Sequence, residues 1–106
     1  MSESRAVVDL DRDTVWQGLQ DGSILLVDVR EPNEYAAGHI PGAISNPLSA
    51  FDPSALPTGR RIVFSCAAGV RSLHALGFAQ AFGLDLHEHY KGGFRDWVMS
   101  GGPVER

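Results

Sequence analysis

Arg61-Ile-Val-Phe-Ser-Cys-Ala-Ala-Gly-Val-Arg-Ser72 sets a short apolar run, ending at Phe64, directly before Cys66, the only cysteine of the chain. Ala67, Ala68 and Gly69 follow as small residues, and from Val70 apolar residues recur at helical spacing as far as Phe82. This pattern predicts a strand over 61–65, a tight loop opened by a thiol, and a helix over 70–82 whose N-terminus faces that loop. A helix N-terminus offers unpaired N–H groups and the positive end of a macrodipole. Both favour a thiolate over a thiol and suit an anionic substrate. Arg71, five positions beyond Cys66, adds a fixed positive charge at the same spot. Cys66 is therefore a candidate nucleophile.

Outward from this centre, strands and helices alternate. Residues 6–10 form a short apolar run that reads as a first strand. Asp11 or Asp13 caps the next segment, in which Val15, Trp16 and Leu19 fall at helical spacing, and Gly22 ends it. Residues 24–29 are almost continuously apolar, as in a strand buried on both faces, and the interior Asp28 needs a partner. Arg30 and Glu31 follow, and Pro32 opens a short helical turn reaching Ala37. Gly38-His-Ile-Pro-Gly-Ala43 is turn punctuation before a short strand over 43–46. Pro47, Pro53, Pro57 and Gly59 mark residues 47–59 as a loop, with one helical turn over 49–56. The helix over 70–82 is apolar on most of its circumference and is expected to be well buried, with Gly83 at its C-terminal end. A last strand over 86–90 precedes Lys91-Gly-Gly93 and a final helix over 94–100, stopped by Gly101-Gly-Pro103.

The expected fold is α/β: one domain over 1–106, core about 6–103, with a mostly parallel sheet of about five strands and helices on both faces. In such sheets, sites lie beyond the carboxyl ends of the strands. Cys66, the segment Asp28–Arg30 and Lys91–Gly93 all stand at predicted strand C-termini, so one edge can hold all three.

Composition narrows the function. With 43% hydrophobic and 21% charged residues the chain reads as an ordinary globular domain. A net charge of -4 without any basic run argues against nucleic acid as a partner. No segment approaches transmembrane length, so no membrane partner is expected, and the N-terminal residues carry no signal-peptide apolar region. A lone cysteine forms no internal disulfide, and a cytoplasmic setting suits a thiol that must stay reduced.

Three separated motifs resemble the rhodanese family of single-domain sulfurtransferases. They are Asp28-Val-Arg-Glu31 with Glu34-Tyr35 and Gly38-His-Ile-Pro-Gly-Ala43, the loop Cys66-Ala-Ala-Gly-Val-Arg-Ser72, and Lys91-Gly-Gly-Phe-Arg-Asp-Trp97. The resemblance implies that Cys66 attacks the outer sulfur of a small anionic donor such as thiosulfate and becomes a persulfide. The sulfur then passes to cyanide, a thiol or a protein acceptor. No separate cofactor is implied beyond the covalent persulfide. It also implies that the backbone of Ala67, Ala68, Gly69, Val70, Arg71 and Ser72 cradles the anion. Arg71 either binds the anion or braces the loop, and Ser72 either donates to the sulfur or caps the helix. Asp28 and Arg30 are supporting scaffold residues.

Phosphatases that share this fold are similar but carry Cys-x5-Arg, whereas Cys66 to Arg71 spans Cys-x4-Arg, a smaller ring suited to sulfur. The loop departs from the family where a basic or polar residue is common, having Ala67, Ala68 and Val70 instead. Two unit charges about 4 Å apart at a partly exposed site interact by roughly 1–4 kcal/mol, so this loop draws a small anion less strongly. A rival expectation follows: a sulfur-relay or binding module that accepts persulfide from a protein partner and has weak thiosulfate activity.

The remaining polar residues read as structural. His39 sits in a turn motif and His74 on the helix after the loop. His87 and His89 point to one face of the last strand, but two histidines without a third ligand make a poor metal site, and no metal is expected. Trp16, Phe94 and Trp97 read as core or half-buried packing. Gly92 and Gly93 read as a positive-φ turn beside the Cys66 loop.

Overall fold

A computed structural model describes residues 6–106. Residues 1–5, part of the stretch read as lacking a signal-peptide region, lie outside the described residues.

The chain runs β1 (Val8–Leu10), α1 (Arg12–Asp21), β2 (Ile24–Asp28), α2 (Pro32–Ala37), β3 (Ile44–Ser45), β4 (Arg61–Ser65), α3 (Val70–Ala81), β5 (Glu88–Tyr90) and α4 (Gly93–Met99). Two short 3-10 turns, Leu48–Ala50 and Pro53–Ala55, occupy the stretch expected to hold a single helical turn, because Pro47 and Pro53 interrupt it. Among the described residues the strands form one five-stranded parallel sheet in the order β1-β5-β4-β2-β3. The strand that delivers Cys66 is thus the central one.

Local chemistry explains the helix ends. Asp11, not Asp13, caps α1: its carboxylate accepts from the Thr14 N–H at 2.9 Å, and Gly22 closes the helix in the left-handed conformation. Pro32 begins α2, and Glu31 and Glu34 form a reciprocal capping box there.

Alternation along β2 and β4 divides the core in two. Ile24, Leu26 and Val63 face α1 and α4 with Val15, Tyr90 and Trp97, while Val27, Ile62 and Phe64 face α3 with Ala75, Leu76 and Ala79. Both sheet faces are covered, as expected of a parallel sheet.

Two expectations about burial need correction. The sheet covers only the α3 face made by Ser72, Ala75, Leu76 and Ala79, leaving Val70, Leu73, Phe78 and Phe82 exposed. A helix lying on a sheet in a two-faced layer meets it with one stripe, and the segment of Leu48, Phe51 and Pro53 flanks Phe78 and Phe82 without burying them. Trp16 is exposed too, its ring tilted against Trp97 with centroids 5.6 Å apart.

Candidate functional site at the carboxyl edge of the sheet

Cys66 follows β4 directly, and its side chain is folded back under the loop, leaving the residue 2% exposed. The Gly69 N–H donates to Sγ at 3.1 Å, and the Ser72 hydroxyl lies 3.6 Å from it. Burial pushes the thiol up, but hydrogen bonds from the Ser72 hydroxyl and from the N–H groups of Ser72, Ala68 and Gly69 outweigh it, and the pKa is lowered below its usual 9.0. The first turn of α3 begins at Val70, so its N-terminus is directed at the same sulfur.

The loop keeps this shape through backbone contacts with the segment after β5. The Phe94 N–H donates to the Cys66 carbonyl at 2.8 Å and the Arg95 N–H to the Ala67 carbonyl at 3.0 Å. Both close approaches require glycine. Gly69 has φ +92 and a Cβ there would stand 2.5 Å from the Lys91 carbonyl oxygen; Gly93 has φ +65 and a Cβ there would stand 2.5 Å from the Cys66 carbonyl oxygen. Gly92, expected to share a positive φ, instead has φ -69, and a Cβ there would stand 2.6 Å from the Asp96 Cβ.

Arg71 points sideways to α2, where Nη1 and Nη2 donate to the Glu34 carboxylate at 2.6 and 3.1 Å. This pair clamps the start of α3 to α2. Chiefly through the hydrogen bond from Arg71, the Glu34 pKa is lowered from 4.5 to about 2. Of the two roles open to Arg71, the geometry favours bracing over direct capture of an anion. Asp28 finds its partner in Arg30, whose Nε and Nη2 donate to the carboxylate at 3.0 and 2.8 Å, both residues being buried. Arg30 also donates to the Gly38 carbonyl at 2.8 Å and lies 4.2 Å over the Phe94 ring. The pair therefore joins the ends of β2, α2 and α4, and its hydrogen bonds go to its own segment and to Gly38, not to Cys66. Asp28, Arg30, Cys66 and Lys91 all stand at one sheet edge, as their order along the chain suggests.

Three residues of this neighbourhood stand outside the candidate site residues read from the sequence: Glu34, there only a member of a motif, His89, there weighed only as a metal ligand, and Asp9. The Ser72 hydroxyl lies 2.7 Å from Nδ1 of His89, and Nε2 of His89 lies 2.7 Å from the Asp9 carboxylate. His87 turns instead to Asp85, and the described residues contain no cluster of three potential metal ligands. His39 is buried, stacked on Tyr35 with ring centroids 3.8 Å apart, and His74 is exposed. A cleft of about 580 Å³ opens beside Ala68 and is lined by Asp9, Asp11, Asp13 and Asp96 together with Arg12 and Lys91. Another, of about 650 Å³, lies at the opposite end of the sheet around Val8, Arg61 and Glu88, away from the sulfur. No helix among the described residues is long and apolar enough to cross a membrane.

Comparison with known proteins agrees with this geometry. The rhodanese-like domain family matches residues 11–100. An uncharacterised protein of Synechocystis sp. is 36% identical over 105 residues, which cover 97% of this chain but only 59% of that protein's length. The thiosulfate:glutathione sulfurtransferase of Saccharomyces cerevisiae is 35% identical over 100 residues, covering 80% of this chain and 72% of its own. Among solved structures, a rhodanese-related protein from Thermoplasma volcanium superposes with a TM-score of 0.78 at 27% identity, over 92% of this chain and 96% of that one.

Proposed function

The chain belongs to the rhodanese-like domain family, and from that premise we propose that it is a sulfurtransferase working through a persulfide on Cys66. The observation that carries the reading is the sulfur's surroundings: one N–H at 3.1 Å, a hydroxyl at 3.6 Å, and a pKa lowered despite burial.

In the first half-reaction the Cys66 thiolate attacks the outer sulfur of a donor such as thiosulfate. The donor's S–S bond breaks, sulfite leaves with the electron pair, and the negative charge resides on the new persulfide. In the second, an acceptor thiolate or cyanide takes the outer sulfur and Cys66 departs as thiolate. The N–H groups of Ala68, Gly69 and Ser72 stabilise the anionic sulfur in every state, and the backbone over 67–72 forms the cradle for the donor. Arg71 braces that cradle through Glu34, while Asp28 and Arg30 hold the adjoining strand end. The resting thiol is buried beside the exposed loop residue Ala68, so contact between donor and sulfur requires the loop to shift. The reaction needs no cofactor besides the persulfide, and a reducing, cytoplasmic setting keeps Cys66 available.

A second reading concerns the donor and acceptor. Four carboxylates against two cations, Arg12 and Lys91, line the cleft beside Ala68, a negative balance that opposes a dianion, and the exposed side chains Val70, Leu73, Phe78 and Phe82 begin at the loop itself. These features favour a protein that carries its own thiol or persulfide over a small donor.

The test is intact mass spectrometry of the wild type and Cys66→Ser after incubation with thiosulfate, followed by cyanide. The expected result is a gain of one sulfur atom on the wild type alone, removed by cyanide. No gain while the thiol still alkylates would sink thiosulfate as donor and leave the protein-relay reading.

A further inference from the structure

Behind Cys66 the structure holds an unbroken hydrogen-bonded chain: Cys66 Sγ to Ser72 Oγ at 3.6 Å, Ser72 Oγ to His89 Nδ1 at 2.7 Å, and His89 Nε2 to Asp9 Oδ1 at 2.7 Å. From it we infer that His89 stores the proton removed from Cys66, passed through the Ser72 hydroxyl, so that the working site is a thiolate balanced by a buried imidazolium. His89 never touches the sulfur; it is a positioning residue that acts through Ser72.

The chain is fully bonded in two protonation states without movement of a heavy atom. Asp9 is an acceptor, so Nε2–H of His89 donates to it in both. With a neutral imidazole, Nδ1 accepts from the Ser72 hydroxyl, whose oxygen accepts from the Cys66 S–H. When the proton moves, the thiol gives its hydrogen to Ser72 Oγ and Ser72 gives its own to Nδ1. Then Nδ1–H donates to Ser72 Oγ, and the Ser72 hydroxyl donates to the thiolate. One S–H bond is broken and one N–H bond formed, and no oxidant or reductant enters. Protonated His89 thereby turns Ser72 into a donor aimed at the sulfur, which is the orientation that stabilises both the thiolate and the persulfide anion.

Burial and register make the arrangement specific. His89 is 1% exposed and Ser72 is fully buried, so water does not supply the proton there. Asp9, with its side chain 51% exposed, sits opposite His89 on the neighbouring strand and gives the chain its outlet to solvent. The charged and titratable groups around His89 are Asp9 from β1, Cys66 from the end of β4 and, behind Asp9 at 3.8 Å, Lys91. From α3 only Ser72 reaches it, Arg71 being held by Glu34 and His74 lying on the exposed side. His87, on its own strand's flank, is engaged with Asp85.

The inference rests on Cys66 as the nucleophile, and its test uses no sulfur donor, so failure of the relay and failure of sulfur transfer are separately visible. The ring nitrogens of His89 are followed by NMR against pH in the wild type and in Cys66→Ser, which keeps a hydroxyl at the position but does not ionise. His89→Gln identifies the resonance. The expected result is a doubly protonated ring for His89 at neutral pH in the wild type and a neutral ring, with Nδ1 unprotonated, in Cys66→Ser. The same ring state in both proteins would overturn the inference. Alkylation of Cys66 gives the second readout: Asp9→Asn, at the half-exposed end, is expected to slow it several-fold at neutral pH, and His89→Gln about tenfold, with both profiles shifted to higher pH. Asp9→Asn alkylating along the wild-type profile would equally refute it.

Discussion

Replacing Gly69 with alanine perturbs the Cys66 loop at its tightest point. The backbone there has φ +92, a conformation that costs an L-residue about 1–2 kcal/mol. The new methyl would also stand 2.5 Å from the Lys91 carbonyl oxygen, a backbone atom anchored by the Lys91 N–H on β1, so the loop has to shift. Overpacking of this kind adds roughly 1–3 kcal/mol, for a total loss of roughly 2–5 kcal/mol of stability. The same shift moves the N–H that donates to Sγ at 3.1 Å. A hydrogen bond to a charged group is worth about 1.5–3 kcal/mol, so its loss raises the thiol pKa and slows alkylation at neutral pH about 10- to 100-fold. Gly77→Ala is the control: it lies inside α3 with nothing within 4 Å of the added Cβ, and it is expected to stabilise the fold by about 0.5–1 kcal/mol. Denaturant unfolding and the pH profile of iodoacetamide alkylation read both effects. A Gly69→Ala protein with wild-type stability and a wild-type alkylation profile would refute the reasoning, because strain and lost hydrogen bond are predicted from one displacement.

Two further outcomes concern the charges that brace the site. The Glu34 pKa, lowered from 4.5 to about 2 chiefly by the hydrogen bond from Arg71, stabilises the fold above 4.5, and that contribution fades as pH falls toward about 2. The full shift corresponds to about 3 kcal/mol, but side chains 31% and 33% exposed leave about 1 kcal/mol after solvent screening. Over that pH window wild type should lose about 1 kcal/mol more than Glu34→Gln in urea titrations; parallel curves would show that the pair contributes nothing. Asp28→Ala leaves the buried Arg30 guanidinium without its carboxylate and is expected to cost about 3–5 kcal/mol, whereas combining Asp28→Leu with Arg30→Met recovers most of it. Thermal denaturation of the single and double variants decides this; a double variant no more stable than Asp28→Ala would contradict it.

What the sequence determined by itself is local. The strand Arg61–Ser65, the helix start at Val70, the turn opened by Pro32 and the left-handed Gly22 depend on residues within a turn or two of one another, where periodicity and caps act directly. The order of strands, with Cys66, Asp28 and Lys91 at their ends, was enough to gather the candidate residues at one edge. Asp28–Arg30 was legible too, since a charge inside an apolar strand demands a partner and one stands two residues away. The rest was decided by which strands lie side by side and which helix face meets them. Glu34 on α2 reaches Arg71 on α3 across 37 positions, and Asp9 reaches His89 across 80 because β1 pairs with β5 at the far edge of the sheet. Periodicity carries no information on that register, so His89 reads as one of two alternating histidines, not as part of the cysteine's surroundings. The same limit explains α3. Its composition predicts burial all round, whereas a sheet offers a helix one contact stripe and leaves Val70, Leu73, Phe78 and Phe82 outside. Local sequence sets which groups are available; the packing of distant strands sets which of them meet the sulfur.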